Sequence, residues 1–141
     1  MAVSLYKLKG WWSLISAWHE LEAGPLVHAY GSHAQGSLVF GDDNQMMWLI
    51  VASKDGVPPG YDIDAYSGRY RIDGSDLVTV ANVSKKLGWN NDKPRYSLSL
   101  SNHDSHLFMT SSKQVGPLHS GTPFIAAFQW SRVQPGQKPA P

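Results

Sequence analysis

The sequence predicts an all-β domain: a closed up-and-down antiparallel barrel of about eight strands. Three observations predict it. Short alternating runs of apolar and polar residues recur along the chain, separated by turn residues. No extended stretch carries the 3.6-residue period of an amphipathic helix. At 141 residues the chain has the size of one domain, and closing a small sheet on itself removes the edges an open sheet would expose. With eight strands the interior either just fills with side chains or holds one small ligand.

The first strand spans 10–20, rich in Trp and Ile, and ends near Gly24-Pro25. A second, shorter strand falls at 26–30 or at 37–40. The third, 44–52, is apolar on both faces (Met46, Met47, Trp48, Leu49, Ile50, Val51), and Asp55-Gly56-Val57-Pro58-Pro59-Gly60 after it is a loop suited to covering a barrel mouth. Strands at 65–72 and 77–83 flank the turn Asp73-Gly74. After a loop through 88–92, strands at 95–100 and 106–110 flank Asn102-His103-Asp104, and a long last strand covers 124–133. Residues 1–133 are therefore the barrel domain. The tail 134–141, rich in Pro and Gln with nothing to bury, is expected to be disordered.

Composition narrows the partners. Lys plus Arg number 12 against 11 for Asp plus Glu, so no long-range field would gather nucleic acid or anionic lipid. Six Trp, six Tyr and four Phe with only 16% charged residues suit a folded domain that encloses apolar surface. Cysteine is absent, which excludes disulfides, thiolate metal sites and thiol nucleophiles and points to a cytoplasmic home. No run approaches the ~20 apolar residues that cross a bilayer, and the N-terminus lacks a signal-peptide core. Strand faces apolar outside as well as inside would favour a homodimer.

Three segments in order carry a resemblance: Leu8-Lys9-Gly10-Trp11-Trp12-Ser13-Leu14, Ala65-Tyr66-Ser67-Gly68-Arg69-Tyr70 and Phe128-Gln129-Trp130-Ser131-Arg132-Val133. The chain resembles the bacterial and fungal lipocalin-like domain family, often found beside biosynthetic genes. The Gly-x-Trp of the first strand with an Arg in the last is similar to the wider lipocalin pattern. There the Trp closes the barrel floor and the Arg lies across it. The resemblance implies a calycin-like barrel with a cavity for a small molecule. Some small barrels of this general type are similar to cyclases and isomerases that fold a flexible natural-product intermediate into a reactive shape.

Site candidates follow from strand parity. Along 65–72 the two-residue period puts Tyr66 and Tyr70 on one face and Arg69 and Arg71 on the other. Trp18 shares parity with Trp12 and is expected to face inward, nearer the mouth. Met47, Tyr96 and Phe108 sit on the bulkier faces of their strands. The candidate ligand wall is thus Trp18, Met47, Tyr66, Tyr96 and Phe108. Tyr70, Arg69 and Arg95 are the candidate catalytic donors, and His28, beside Tyr30, a candidate acid–base group. His103 and His106, three apart on a strand, point to opposite faces without a third ligand, so no metal site is expected. Asp62 and Asp64 beside Gly60 read as turn or cap residues. No phosphate-binding glycine loop is present, and no cofactor is expected.

Two functions fit these residues. The first is a cofactor-independent cyclase or isomerase that positions one flexible hydrophobic substrate and polarises it with a phenol or guanidinium. The second is a carrier that shelters a hydrophobic metabolite unchanged; a barrel with no interior void would instead mark a structural or partner-binding domain.

Overall fold

In the strand Gln45–Val51 (β4), Met46, Trp48 and Ile50 are buried while Gln45, Met47, Leu49 and Val51 are exposed, a strict period of two that makes one face of the sheet an interior. The same alternation recurs along the chain and builds the computed structural model, which describes residues 5–22, 24–53, 62–84, 95–115, 119 and 121–134. After one helical turn, Leu5–Leu8 (α1), come β1 (Gly10–Leu21), β2 (Leu26–Val27), β3 (Gln35–Phe40) and a 3-10 turn at Asp42–Asn44. Then follow β4, β5 (Ile63–Asp73), β6 (Asp76–Ser84), β7 (Tyr96–Ser101), β8 (His106–Ser111) and β9 (Phe124–Arg132). The proline loop at 55–60, the loop at 88–92 and the tail from 135 lie outside the described residues.

All pairings are antiparallel, and each long strand pairs with its successor. β1 pairs with both β3 and β9, from Trp12 opposite Arg132 to Leu21 opposite Phe124, which closes the barrel. The expected architecture is the observed one: eight strands close and β2 adds to the end of β1. Both positions offered for the second strand are strands, one of only two residues.

The two ends of the barrel differ. At one end the links are tight: 41–44, 74–75 and 102–105. Gly74 has φ of +66°, and Asn102, His103 and Asp104 all lie in the left-handed region that Asn and Asp tolerate best. At the other end the links run 22–34, 52–62, 85–95 and 112–123. We refer to this second end, opposite the tight turns, as the mouth.

The floor is closed by the N-terminus. Leu8 is fully buried, and its carbonyl accepts a hydrogen bond from the Trp12 indole nitrogen at 2.9 Å. The Arg132 guanidinium lies over the Trp12 ring, 4.2 Å from its centroid, as expected. It also donates to the carbonyls of Lys7, Lys9 and Asp104, tying helix, first strand, last strand and one tight turn together. Gly10, with φ of +122°, lets that guanidinium approach, since a Cβ there would sit 3.3 Å from it.

Above the floor the barrel is filled with rings. Trp48 stacks on Tyr66 and Tyr96, each at 5.6 Å, and meets Phe128 and Trp130 edge-on. Phe40 and Tyr70 form a further edge-on pair. Trp12, Trp48, Trp130, Tyr96 and Phe40 all have under 2% of their surface exposed, so the floor and middle are a packed core.

Candidate functional site

Inward-facing residues divide by height. Near the floor they are Trp12, Leu38, Phe40, Met46, Leu107 and Trp130, almost all apolar. The buried Asp64 and His19 side chains lie toward the mouth. Asp64, near the start of β5, is 1% exposed and accepts a hydrogen bond from the Tyr30 hydroxyl at 2.9 Å. Tyr30 arrives from the long link between β2 and β3, and its carbonyl accepts from the Ser53 amide. The Tyr66 hydroxyl lies beside those of Thr79 and Tyr96, with the Asp64 carboxylate close enough to influence both phenols. Four chain segments thus bring one carboxylate and four hydroxyls together among aromatic rings.

Its electrostatics follow from burial. Desolvation, reinforced by the Asp64 charge, pushes the Tyr66 and Tyr96 phenols well above their usual range, so both keep their protons throughout the physiological range. They act as hydrogen-bond donors and not as bases. Tyr70, lower in the barrel, is raised for the same first reason, with Asp42 adding to it. The indole N–H groups of Trp48 and Trp130 and the Tyr70 hydroxyl are buried with no acceptor among the described residues. Buried polar atoms are usually paired, so these donors make the ring-filled interior more polar than its composition suggests.

A second polar group borders this cluster. His19 on β1 is 3% exposed, stacks on Phe124 at 4.4 Å and meets Tyr30 edge-on. Its Nδ1 lies 2.8 Å from Nε2 of His119, in the link that leads to β9. One ring must donate and the other accept, so at least one is neutral. Burial holds the His119 pKa below the usual histidine range, which favours that state.

The residues proposed from sequence separate. Tyr66, Tyr70 and Tyr96 point inward. Trp18 does not: β1 carries a bulge at Ile15, with Leu14 opposite Trp130 and Ser16 opposite Gln129. The extra residue inverts the alternation, so Ala17 and His19 face inward while Trp18 stacks outside on Phe108 at 6.0 Å. Phe108 lies outside because Leu107 and Met109 take the inner face of β8, and Met47 lies outside because Met46 and Trp48 take that of β4. Arg69 is exposed on the outer face of β5. Arg95 is also outside, paired with Asp73 at 2.9 Å and Asp76 at 3.3 Å. His28 is exposed. The cap reading of Asp64 is overturned by its burial, whereas Asp62 is exposed as a turn residue would be.

Among the described residues no group of three or more His, Cys, Asp or Glu could hold a metal ion, and no helix is long and apolar enough to cross a membrane. A scan against models of known families finds no match to this chain, and no curated protein matches it significantly.

Proposed function

We propose that the barrel binds one small, largely apolar molecule at its mouth, with the polar end held by Asp64, Tyr30, Tyr66 and Tyr96. The observation that carries this reading is the buried Asp64 carboxylate near the loop-bearing end, bonded by the Tyr30 hydroxyl and close to the Tyr66 and Tyr96 phenols. A carboxylate buried to 1% exposure costs several kcal/mol of desolvation, and such groups concentrate at sites that use them. Tyr66 and Tyr96, stacked on Trp48, form the top of the packed middle, so the ligand lies above their rings. Asp64 accepts a donor from the ligand, a hydroxyl or an amine, and the neutral phenols donate to a carbonyl. The Trp12–Arg132 floor and the eight-strand order support a lipocalin-like reading, which rests otherwise on the three segments quoted above.

The test is a fluorescence titration with N-phenyl-1-naphthylamine, a neutral apolar probe with one N–H. One saturable site per chain is expected. Asp64→Ala and Tyr30→Phe should weaken it at least tenfold with the β-sheet circular dichroism retained, and Trp11→Ala on the outer wall should not. Absence of saturation, or equal affinity in the Asp64 and Tyr30 variants, overturns the reading.

A second reading has its own observation, the convergence of a carboxylate with non-ionising phenols. That pair suits a cofactor-independent isomerisation: Asp64 takes a proton from the carbon next to a ligand carbonyl while Tyr66 or Tyr96 stabilises the oxygen charge that develops. The proton then returns to a different carbon. A cyclase would use the same donors on a folded chain. The Arg69 and Arg95 side chains, being outside, take no part. Turnover of a β,γ-unsaturated ketone to its conjugated isomer, lost in Asp64→Asn while binding persists, separates catalysis from carriage.

A further inference from the structure

The outer wall carries a groove of about 570 Å³ across β1, β3, β4 and β5. Four outward residues form one cross-strand row along it: Trp11 opposite Val39, Val39 opposite Met47, and Met47 opposite Ser67. Gln45 and Arg69, directly opposite each other on β4 and β5, complete the wall. Trp11 is 56% exposed and Met47 53%, so a large indole and a thioether face solvent on either side of Val39. The volume falls within the range of small-molecule sites, about 300–1,000 Å³.

The charge pattern says what fits. Lys7 pairs with Asp104, Lys9 with Asp42, Arg71 and Arg95 with Asp73, and Lys113 with Glu22, while Arg132 holds three carbonyls. Among the described basic side chains Arg69 alone has neither a carboxylate nor a carbonyl partner. It stands on β5 two residues from Ser67, where the row ends, and the groove's lining contains no acidic residue. Three strand spacings of ~4.8 Å and a two-residue offset of roughly 7 Å along β5 put the Trp11 and Arg69 backbones roughly 16 Å apart. A two-ring ligand with one acidic end spans the distance between an indole face and a guanidinium reaching back along the wall.

We propose that this groove is a second ligand site, separate from the barrel interior, for a planar aromatic carboxylate. The rings lie against Trp11 and Met47, and the carboxylate pairs with the Arg69 fork. A second copy of the chain is a poorer occupant. A two-fold contact centred here would bring two Arg69 side chains together without an acidic partner in the groove.

The experiment is an NMR titration of the intact chain with 2-naphthoate, reading the Met47 and Val39 methyl and Trp11 indole signals. Saturable shifts confined to these residues are expected. Arg69→Gln should weaken binding at least fivefold, Trp11→Ala should abolish saturation, and 2-naphthamide should bind the unaltered protein as weakly as 2-naphthoate binds Arg69→Gln. Both substitutions are on the outer wall, and an unchanged Tm confirms that each variant is folded. Shifts that appear on Tyr66 and Tyr96 instead, equal affinity in Arg69→Gln, no saturation, or groove signals that move only with protein concentration would each overturn the proposal.

Discussion

Trp11 and Trp12 are neighbours in sequence and opposites in environment, so replacing each by Ala tests the floor directly. The Trp12 ring has no exposed surface, its N–H bonds the Leu8 carbonyl at 2.9 Å, and the Arg132 guanidinium covers it at 4.2 Å. Truncating a buried Trp to Ala costs about 3–5 kcal/mol. The lost hydrogen bond contributes about 1 kcal/mol and the lost cation–π contact about 0.5–1 kcal/mol, partly counted already in the truncation. The expected loss for Trp12→Ala is about 4–5 kcal/mol, a large part of the 5–15 kcal/mol typical of a domain. Trp11→Ala removes a ring that is 56% exposed and should cost under about 1 kcal/mol. Urea denaturation followed by far-ultraviolet circular dichroism measures both without relying on indole fluorescence. A double-mutant cycle of Trp12→Phe with Arg132→Met then isolates the ring–guanidinium coupling. A loss below 1 kcal/mol for Trp12→Ala, or equal losses at the two positions, would refute the floor described here.

Three further outcomes are expected. A Cβ at Gly36 would lie 2.8 Å from the Leu49 carbonyl oxygen and 3.2 Å from the Leu14 Cβ, so Gly36→Ala should lower stability by about 1–3 kcal/mol, read as a lower urea midpoint with unchanged slope. The Tyr66 and Tyr96 pKa values are raised in the folded state by burial, so their contribution to stability is complete below the unfolded phenol value of about 10 and declines as pH rises beyond it. Phenolate absorbance of these rings should therefore appear together with loss of β-sheet circular dichroism, and ionisation of all tyrosines before any unfolding would contradict their burial. The Arg95 guanidinium holds the Asp73 carboxyl below its ordinary range in an exposed ion pair, so Arg95→Ala should let Asp73 titrate nearer the usual value while Tm and probe binding at the mouth barely change. A large loss of binding would restore Arg95 as a site residue.

How far the sequence could be read depends on what each strand tells of its two faces. Turn chemistry at Asp73-Gly74 and Asn102-His103-Asp104 and the alternation along β5 locate strands well, because left-handed residues and a period of two are local properties. Face assignment needs a contrast between faces. β5 has one, tyrosines against arginines, and Tyr66 and Tyr70 point inward. β4 has none: Met47, Leu49 and Val51 are as apolar as Met46, Trp48 and Ile50, and only the closed barrel decides between them. The bulge at Ile15 leaves no local mark, yet it inverts every residue after it and sends Trp18 outside and His19 inside. Asp64 was legible, since even positions on β5 face inward and the parity of Tyr66 extends back two residues, but a carboxylate beside a glycine-rich loop reads first as a cap. The His19–His119 contact joins residues a hundred positions apart and has no sequence signal at all.

On the proposed reading, the polar end of a neutral apolar molecule is held inside the mouth of this barrel, while the wall groove takes aromatic carboxylates. Intermolecular nuclear Overhauser effects from bound N-phenyl-1-naphthylamine test it most directly, with Tyr30, Tyr66 and Tyr96 ring protons marking the interior and the Trp18 and Phe108 rings marking the outside. Effects from the probe to the three tyrosines, lost in Asp64→Ala, are the predicted result. Effects to Trp18, Phe108 or Trp11 with none to the tyrosines would show that the interior is only a core.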